Sequence, residues 1–413
     1  MGLIIGLVSV PLVAHQTGAV GFGMWSLCAL LIGWIQAMDL GLGIGLQNDV
    51  SRAIDLRSRQ VAVRAAAAMR VCMRVIALVV IVLGTSAALT PQSLLIFGHG
   101  LDQHERDFGR GLLVITSMAM ALSLITQTSV RCLGGMQRLG RVSVAQSLGG
   151  LVGLTVFSTG MIMDWNPLMG IAALALLPAA SQLIAAQLLL RAPDLAWLHE
   201  TTAWNMRDLR RLMGRGAWFF SSQISALVVF QTDALVISAN VGVIDSGSYQ
   251  AANRLFSIIV MGQGVVLAAV WPSLGNAQAA GDQNWIEQTY RRARTMTMLL
   301  IVLSLMAGLG MPWFVETWTN KPELRPSFAT ASGLALLSAT SLWANLHAQC
   351  LNALDDYRFP AKLAMIQAVL NLVTILIAVR QGGAAGVAWG SAVVAMVTSC
   401  SVLAWRWHHL RGV

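Results

Sequence analysis

"LVAHQTGAVGFGMW" (residues 12–25) returns in the second half of the chain as "VISANVGVIDSGSY" (236–249). The two align without a gap: Gly18 meets Gly242, Gly23 meets Gly247, and Trp25 meets Tyr249. Further on, "CLGGMQRLGR" (132–141) parallels "CLNALDDYRFPAK" (350–362) with short gaps, and "GIAALALL" (170–177) parallels "GVAWGSAV" (386–393). Apolar segments align easily, so each match alone is loose. Three in the same order imply a duplicated unit. Parallel repeats related by an axis along the membrane normal are a transporter pattern, with the substrate site expected between the halves.

Composition places the repeat in a membrane. The 413 residues are 56% hydrophobic and 11% charged, with a mean hydropathy of +0.68. A soluble domain carries about 25% charged residues. The net charge of +9 comes with no basic stripe on a soluble domain, so nucleic acid is not an expected partner. Cys28, Cys72, Cys132, Cys350 and Cys400 lie in or beside apolar segments without metal-ligand spacing. That argues against a disulfide or zinc framework.

A bilayer core of roughly 30 Å takes about 20 apolar residues per helix. Twelve segments fit: 2–15, 23–46, 67–89, 111–130, 143–163, 168–190, 217–240, 247–274, 296–315, 327–352, 361–379 and 384–405. Of the 27 Lys and Arg residues, 21 fall on the side of the even-numbered connections and the C-terminal tail, Arg70, Arg74 and Lys362 among them near span ends. Only Arg106, Arg110, Lys321, Arg325 and Arg380 fall on the odd-numbered ones, and Arg254 lies inside a span. Positive residues mark the cytoplasmic side, so both termini are expected there, in a multi-pass protein of the cell inner membrane. The first segment is short before His15, about 20 Å of helix, and reads as truncated at its start.

The expected fold class is therefore an all-α integral membrane protein of about twelve transmembrane helices in two pseudo-symmetric six-helix bundles. Residues 1–190 form the N-terminal bundle and 217–413 the C-terminal bundle. Residues 191–216 form a cytoplasmic linker. Its segment "NMRDLRRLMGRG" (205–216) places Met206, Leu209, Leu212 and Met213 on one face with arginines largely off it. That pattern suits either an amphipathic helix on the inner leaflet or a cytoplasmic connector whose charges serve only retention.

"GAVGFGMWSLCALLIGWIQAMDLGLGIGLQNDVSRA" (18–53), "GAWFFSSQISALVVFQTDALVISANVG" (216–242) and "AAVWPSLGNAQAAGDQNWI" (268–286) extend the argument to a family. In order and over nearly the whole chain they resemble the second helix, the seventh helix and the segment after the eighth of the O-antigen and polysaccharide flippases (Wzx-type). These belong to the multidrug/oligosaccharidyl-lipid/polysaccharide superfamily, which also holds the MATE antiporters. The resemblance implies a MATE-like V-shaped transporter rather than an enzyme. It would carry undecaprenyl-diphosphate-linked glycan from the inner to the outer leaflet for surface polysaccharide or lipopolysaccharide synthesis. It implies the bilayer as a partner, a polysaccharide polymerase and chain-length regulators downstream, no bound cofactor, and coupling to H+ or Na+.

Charges inside spans supply the candidate site. Asp233 and Arg254 are equidistant from a turn centred between Val243 and Ile244. Antiparallel helices joined there bring both to one depth. Buried membrane charges face the bundle interior and pair, so an Asp233–Arg254 pair is expected, structural or functional. Functionally, Arg254 would hold the diphosphate, because guanidinium binds phosphate oxygens bidentately. Asp233 would then be its resting partner or a proton site, with Gln231, Gln250 and Asn253 as neighbouring polar groups. Asp39 ends an apolar run before Gly41, Gly43 and Gly45. It reads as a helix-end partner of the loop arginines or as a gating residue, and the glycines as places of close helix approach. His347 is either structural or a titrating coupling residue. The outer-loop acids and histidines of "HGLDQHERD" (99–107) read as solvated.

Two other functions compete. An ion-coupled MATE-like exporter of small cationic compounds calls for an acidic cavity, whereas the intramembrane charges here include an arginine. A membrane glycan polymerase or acyltransferase calls for a large outer loop rich in Arg or His, which is absent from this sequence.

Overall fold

A computed structural model describes residues 2–34, 42–53, 56–98, 100–199, 205–354, 356 and 358–411. Among them there is no strand. The helices are α1 (Gly2–Trp34), α2 (Leu42–Ser51), α3 (Leu56–Leu89), α4 (Gln103–Gly135), α5 (Leu139–Ile162) and α6 (Pro167–Leu190). They continue with α7 (Met206–Asn240), α8 (Val243–Ala280), α9 (Gln283–Thr319), α10 (Phe328–Ala353), α11 (Arg358–Ala395) and α12 (Ser401–Arg411), the last joined to α11 by a π turn, Met396–Cys400.

Two of these helices each hold two spans. α1 breaks at Gly18 (φ 72°, ψ −177°) and α11 at Gly383 (φ 55°, ψ −138°). Gly242, the repeat mate of Gly18, has φ 141° and ψ 164° and separates α7 from α8. Both repeat mates occupy a backbone region open essentially to glycine alone, so the duplication read from sequence reappears as a duplicated turn. Trp25 and Tyr249, the aligned aromatics after that turn, are both buried.

Eight of the described helices are long and apolar enough to cross a membrane. With α1 and α11 counted as two each, and α7 and α10 added, the twelve expected segments are each helical over their described residues to within one residue, and 35–41 of the second lie outside the described residues. α10 has a simple reason for its lower hydropathy. It is largely buried within its own unit, packed by α8, α9, α11 and α12, so it meets protein more than lipid. α3 and α9 show the opposite: Val75, Leu78, Val82 and Leu83, and Leu299, Val302, Leu303 and Met306, are all more than half exposed. Such stripes are stable only against lipid tails. α3 is 34 residues long, about 51 Å, so its arginine-bearing end runs well beyond the apolar core.

The chain divides into two compact units: Met1–Ile96 with Gly100–Phe220, and Phe97–His99 with Ser221–Val413. The first unit centres on Leu42 and Leu46 of α2, Met69 and Met73 of α3, Leu124 of α4 and Leu212. The segment 205–216, expected as a surface helix or a connector, is instead the opening of α7 and belongs to this unit. Leu212 is fully buried, and Leu209 packs against the same core. Arg211 bonds the buried Asp49 at 2.9 Å. Of its apolar side, Leu209 and Leu212 pack against this core, whereas Met206 and Met213 are exposed. The second unit has a core cluster that includes Leu267 of α8, Tyr290 of α9, Leu346 of α10 and Trp407 of α12.

Glycines set the closest approaches. A Cβ on Gly45 would lie 3.1 Å from the Leu212 carbonyl oxygen, and one on Gly135 would lie 2.6 Å from that of Gln47. Gly45 thus lets α2 sit against α7, and Gly135 lets α4 sit against α2. Gly149 and Gly153 of α5 form a small-xxx-small face against α6. A Cβ on Gly153 would meet the Ala173 carbonyl oxygen at 2.7 Å, and backbone cannot step aside as a side-chain tip can. Gly153→Leu is therefore expected to destabilise the purified protein by about 1–3 kcal/mol, read as a lower melting temperature with fewer folded molecules recovered.

Candidate functional site

Asp233 sits on α7 and is 1% exposed. Its Oδ2 accepts two hydrogen bonds, from the Tyr249 hydroxyl of α8 at 2.7 Å and from the Ser391 hydroxyl of α11 at 3.0 Å. Its Oδ1 is buried without a donor. Asn371, on α11 before the Gly383 break, is fully buried. Its amide reaches the Val229 carbonyl at 3.5 Å, and its own oxygen has no donor. Two acceptor oxygens without donors thus lie in one buried polar group drawn from α7, α8 and both halves of α11. Such atoms are costly to bury. They suit a proton on the carboxyl or a hard cation that takes oxygen ligands. The break at Gly383 returns the chain so that Asn371 and Ser391 both face α7. Ser246, in the first turn of α8, donates to the Ala234 carbonyl at 2.8 Å and fixes the α7–α8 register beside the aspartate.

The expected Asp233–Arg254 pair does not form. Asp233 takes Tyr249 and Ser391 instead. Equal distance from a turn fixes depth but not azimuth. Tyr249 and Arg254 are five positions apart on α8, roughly 140° around its axis, so only one of them can face Asp233. Gln250 and Arg254, four apart, share a different face and are both half-buried. Gln231 and Asn253 are also half-buried. Gln231 lies two positions from Asp233, about 160° around α7. The polar residues singled out in this unit therefore separate into a buried carboxylate cluster and a half-buried amide–guanidinium face.

Two further residues resolve differently. Asp39 lies outside the described residues. The carboxylate seen to partner an arginine in this region is Asp49, ten positions on. His347 is fully buried on α10. Its Nδ1 lies 2.9 Å from the Trp343 carbonyl, and its Nε2 lies 3.1 Å from the Tyr290 hydroxyl. A carbonyl only accepts, so Nδ1 carries the proton and Nε2 accepts from Tyr290. Both ring nitrogens are satisfied in the neutral form. Gln263 likewise donates to Thr297 at 2.9 Å and to the Leu342 carbonyl at 2.8 Å, tying α8, α9 and α10 together. The outer acids Asp102 and Glu105 form a capping box at the start of α4, and no metal-holding cluster occurs among the described residues.

Tyr249, Ser391 and Asn371 were not read as partners of Asp233 from sequence. One signal was available. The chain has only three tyrosines, and the two that are described bond the buried Asp233 and His347.

The family model described as "polysaccharide biosynthesis protein" matches residues 1–278. No curated protein matches the sequence significantly. Among solved structures, an inward-facing MATE family multidrug resistance transporter of the MOP superfamily superposes with a TM-score of 0.72 at 16% identity, covering 100% of this chain and 99% of that one. Lipid II flippase MurJ in an inward closed conformation gives 0.67 at 13% identity, covering 98% and 85%. A MOP superfamily transporter from Pyrococcus furiosus gives 0.58 at 15%, covering 99% and 95%. At these identities the structural likeness establishes the fold.

Proposed function

Because the chain belongs to the polysaccharide biosynthesis protein family, we propose that it is a flippase for lipid-linked oligosaccharide. It moves a polyprenyl-diphosphate glycan, undecaprenyl-diphosphate in a bacterial envelope, from the inner to the outer leaflet of the cell inner membrane by alternating access. The work is transport, and no covalent bond changes. The observation that carries this reading is Arg254. It lies about 16 Å into α8, away from the arginine-rich connections, and shares a half-buried face with Gln250. A fixed guanidinium at such depth suits a diphosphate, and amides suit sugar hydroxyls. Asp233 carries the coupling ion, H+ or Na+, on its carboxyl within the Tyr249–Ser391–Asn371 group. A polymerase and chain-length regulators would take the flipped glycan.

Deleting the gene is the direct test. The lipid-linked repeat unit is expected to accumulate while surface glycan disappears, and the cloned gene should reverse both. Normal surface glycan in the deletion strain would defeat the proposal. A second reading, export of small cationic compounds, draws on the MATE likeness. It expects overexpression to raise resistance to cationic dyes with surface glycan unaffected. Orientation is tested separately: a reporter active only in the periplasm, fused after Val413, should stay silent, because the cation bias puts the C-terminus inside.

A further inference from the structure

A separate cavity lies wholly within the first unit, where α3, α4, α6 and the 3-10 turn Pro193–His199 converge. It measures about 90 Å³. A single water needs about 10–15 Å³ in the same measure, so a tetrahedral oxyanion fits. Its polar lining is Arg70 and Arg74 of α3, Thr128 and Ser129 of α4, and Gln187 of α6. Among the described residues no carboxylate lines it.

The donors in this lining are left over once the fold's own bonds are made. Arg70 is held in place by bonds to the Ala66 and Leu198 carbonyls, both at 3.3 Å. Arg74, one turn on, has no hydrogen-bond or ion-pair partner among the described residues. Ser129 Oγ accepts from Gln187 at 3.3 Å, so its own proton remains to be donated. Thr128 is 2% exposed, and its hydroxyl is buried with no partner at all. A threonine hydroxyl is ordinarily paired when buried. Here it opens onto a cavity carrying two guanidinium groups and, among the described residues, no compensating acid.

We infer that this cavity is a binding site for a phosphate group, held by Arg70, Arg74, Thr128 and Ser129. Phosphate offers several acceptor oxygens and a charge that matches paired arginines. α4 and α6 both end beside the cavity, at the arginine-rich face that the cation bias puts in the cytoplasm. The phosphate is therefore either the headgroup of an anionic phospholipid of the inner leaflet or a soluble phosphate. The site is independent of the face bearing Arg254 and does not rest on the flippase reading.

The test uses the full chain purified in neutral detergent and reads its melting temperature in two arms. One adds inorganic phosphate against chloride at constant ionic strength. The other adds phosphatidylglycerol against phosphatidylcholine. At least one anion should raise the melting temperature saturably, and which arm responds identifies the source. Arg74→Gln should raise the half-saturating concentration about tenfold, the usual cost of one charge-assisted bond. Thr128→Val, isosteric and without the hydroxyl, should raise it about fivefold. Both residues are unpartnered, so these variants keep the ligand-free fold, whereas an Arg70 variant would also lose the bond to Leu198. If the arginines serve only to neutralise helix C-termini, neither anion stabilises the protein, or both variants respond like wild type. Either result overturns the inference.

Discussion

Arg254→Ala should cut glycan export by about tenfold to a hundredfold per inserted molecule, the range spanned by one or two charge-assisted hydrogen bonds to a buried anion. Normalising to inserted protein separates loss of transport from loss of protein. The side chain is half-buried on a face distinct from the Asp233 cluster, so the truncation leaves that cluster whole. Arg254→Lys should recover only part of the loss, since an ammonium keeps the charge but not the planar fork. Gln250→Ala, on the same face, should be milder because only a neutral amide is removed. Wild-type normalised export by Arg254→Ala would remove the diphosphate role. A merely structural arginine would instead lower protein level in both the alanine and lysine variants while each surviving molecule transported normally.

Asp233 supports the second large effect, because two of its substitutions part company. Asp233→Ala leaves the hydroxyls of Tyr249 and Ser391 buried without an acceptor. At about 1–3 kcal/mol for each unpaired group, a loss of about 2–6 kcal/mol of stability is expected, seen as poor recovery and a low melting temperature. Asp233→Asn keeps an oxygen for both hydroxyls and adds an amide beside the donor-less Asn371 oxygen, so its melting temperature should equal or exceed wild type. Yet it offers no titrating carboxyl to a proton and no negative charge to a sodium ion, which the coupling role proposed for Asp233 requires. Export driven by a proton or sodium gradient is expected to fall about a hundredfold, as for other lost essential proton carriers, and to stop depending on the gradient. A stable Asp233→Asn variant with wild-type, gradient-dependent export would remove the coupling role and leave a structural carboxylate.

These two residues mark how far the sequence could be read. The spans followed from apolar length, and the ungapped alignment paired Gly18 with Gly242, but that both glycines break the chain in a glycine-only conformation is a finding of the structure. Counting along two antiparallel helices put Asp233 and Arg254 at one depth, but α7 ends at Asn240 and α8 begins at Val243, which leaves Asp233 nearer the turn than Arg254. Nor did their pairing follow, because counting says nothing about azimuth. The true partner Ser391 lies 158 residues away on α11, where no local pattern could indicate it. The opening of α7 shows a related limit. An apolar face with arginines beside it fits a lipid surface and a protein groove equally well, and only the position of α2, with its buried Asp49, decides between them.

The glycines of this chain should leave two distinct signatures in a saturation-substitution survey. At Gly18 and Gly242 a Cβ would find open space, and the obstacle is the backbone angle alone. Alanine and tryptophan would there be penalised almost alike, by about 1–3 kcal/mol. Gly153 and Gly135 have ordinary angles but face neighbouring backbone, so fitness there should fall in proportion to side-chain volume. The flat profile would identify hinges in the chain and the graded profile would identify seams between helices. The two could then be told apart in relatives of unknown structure from variant counts alone.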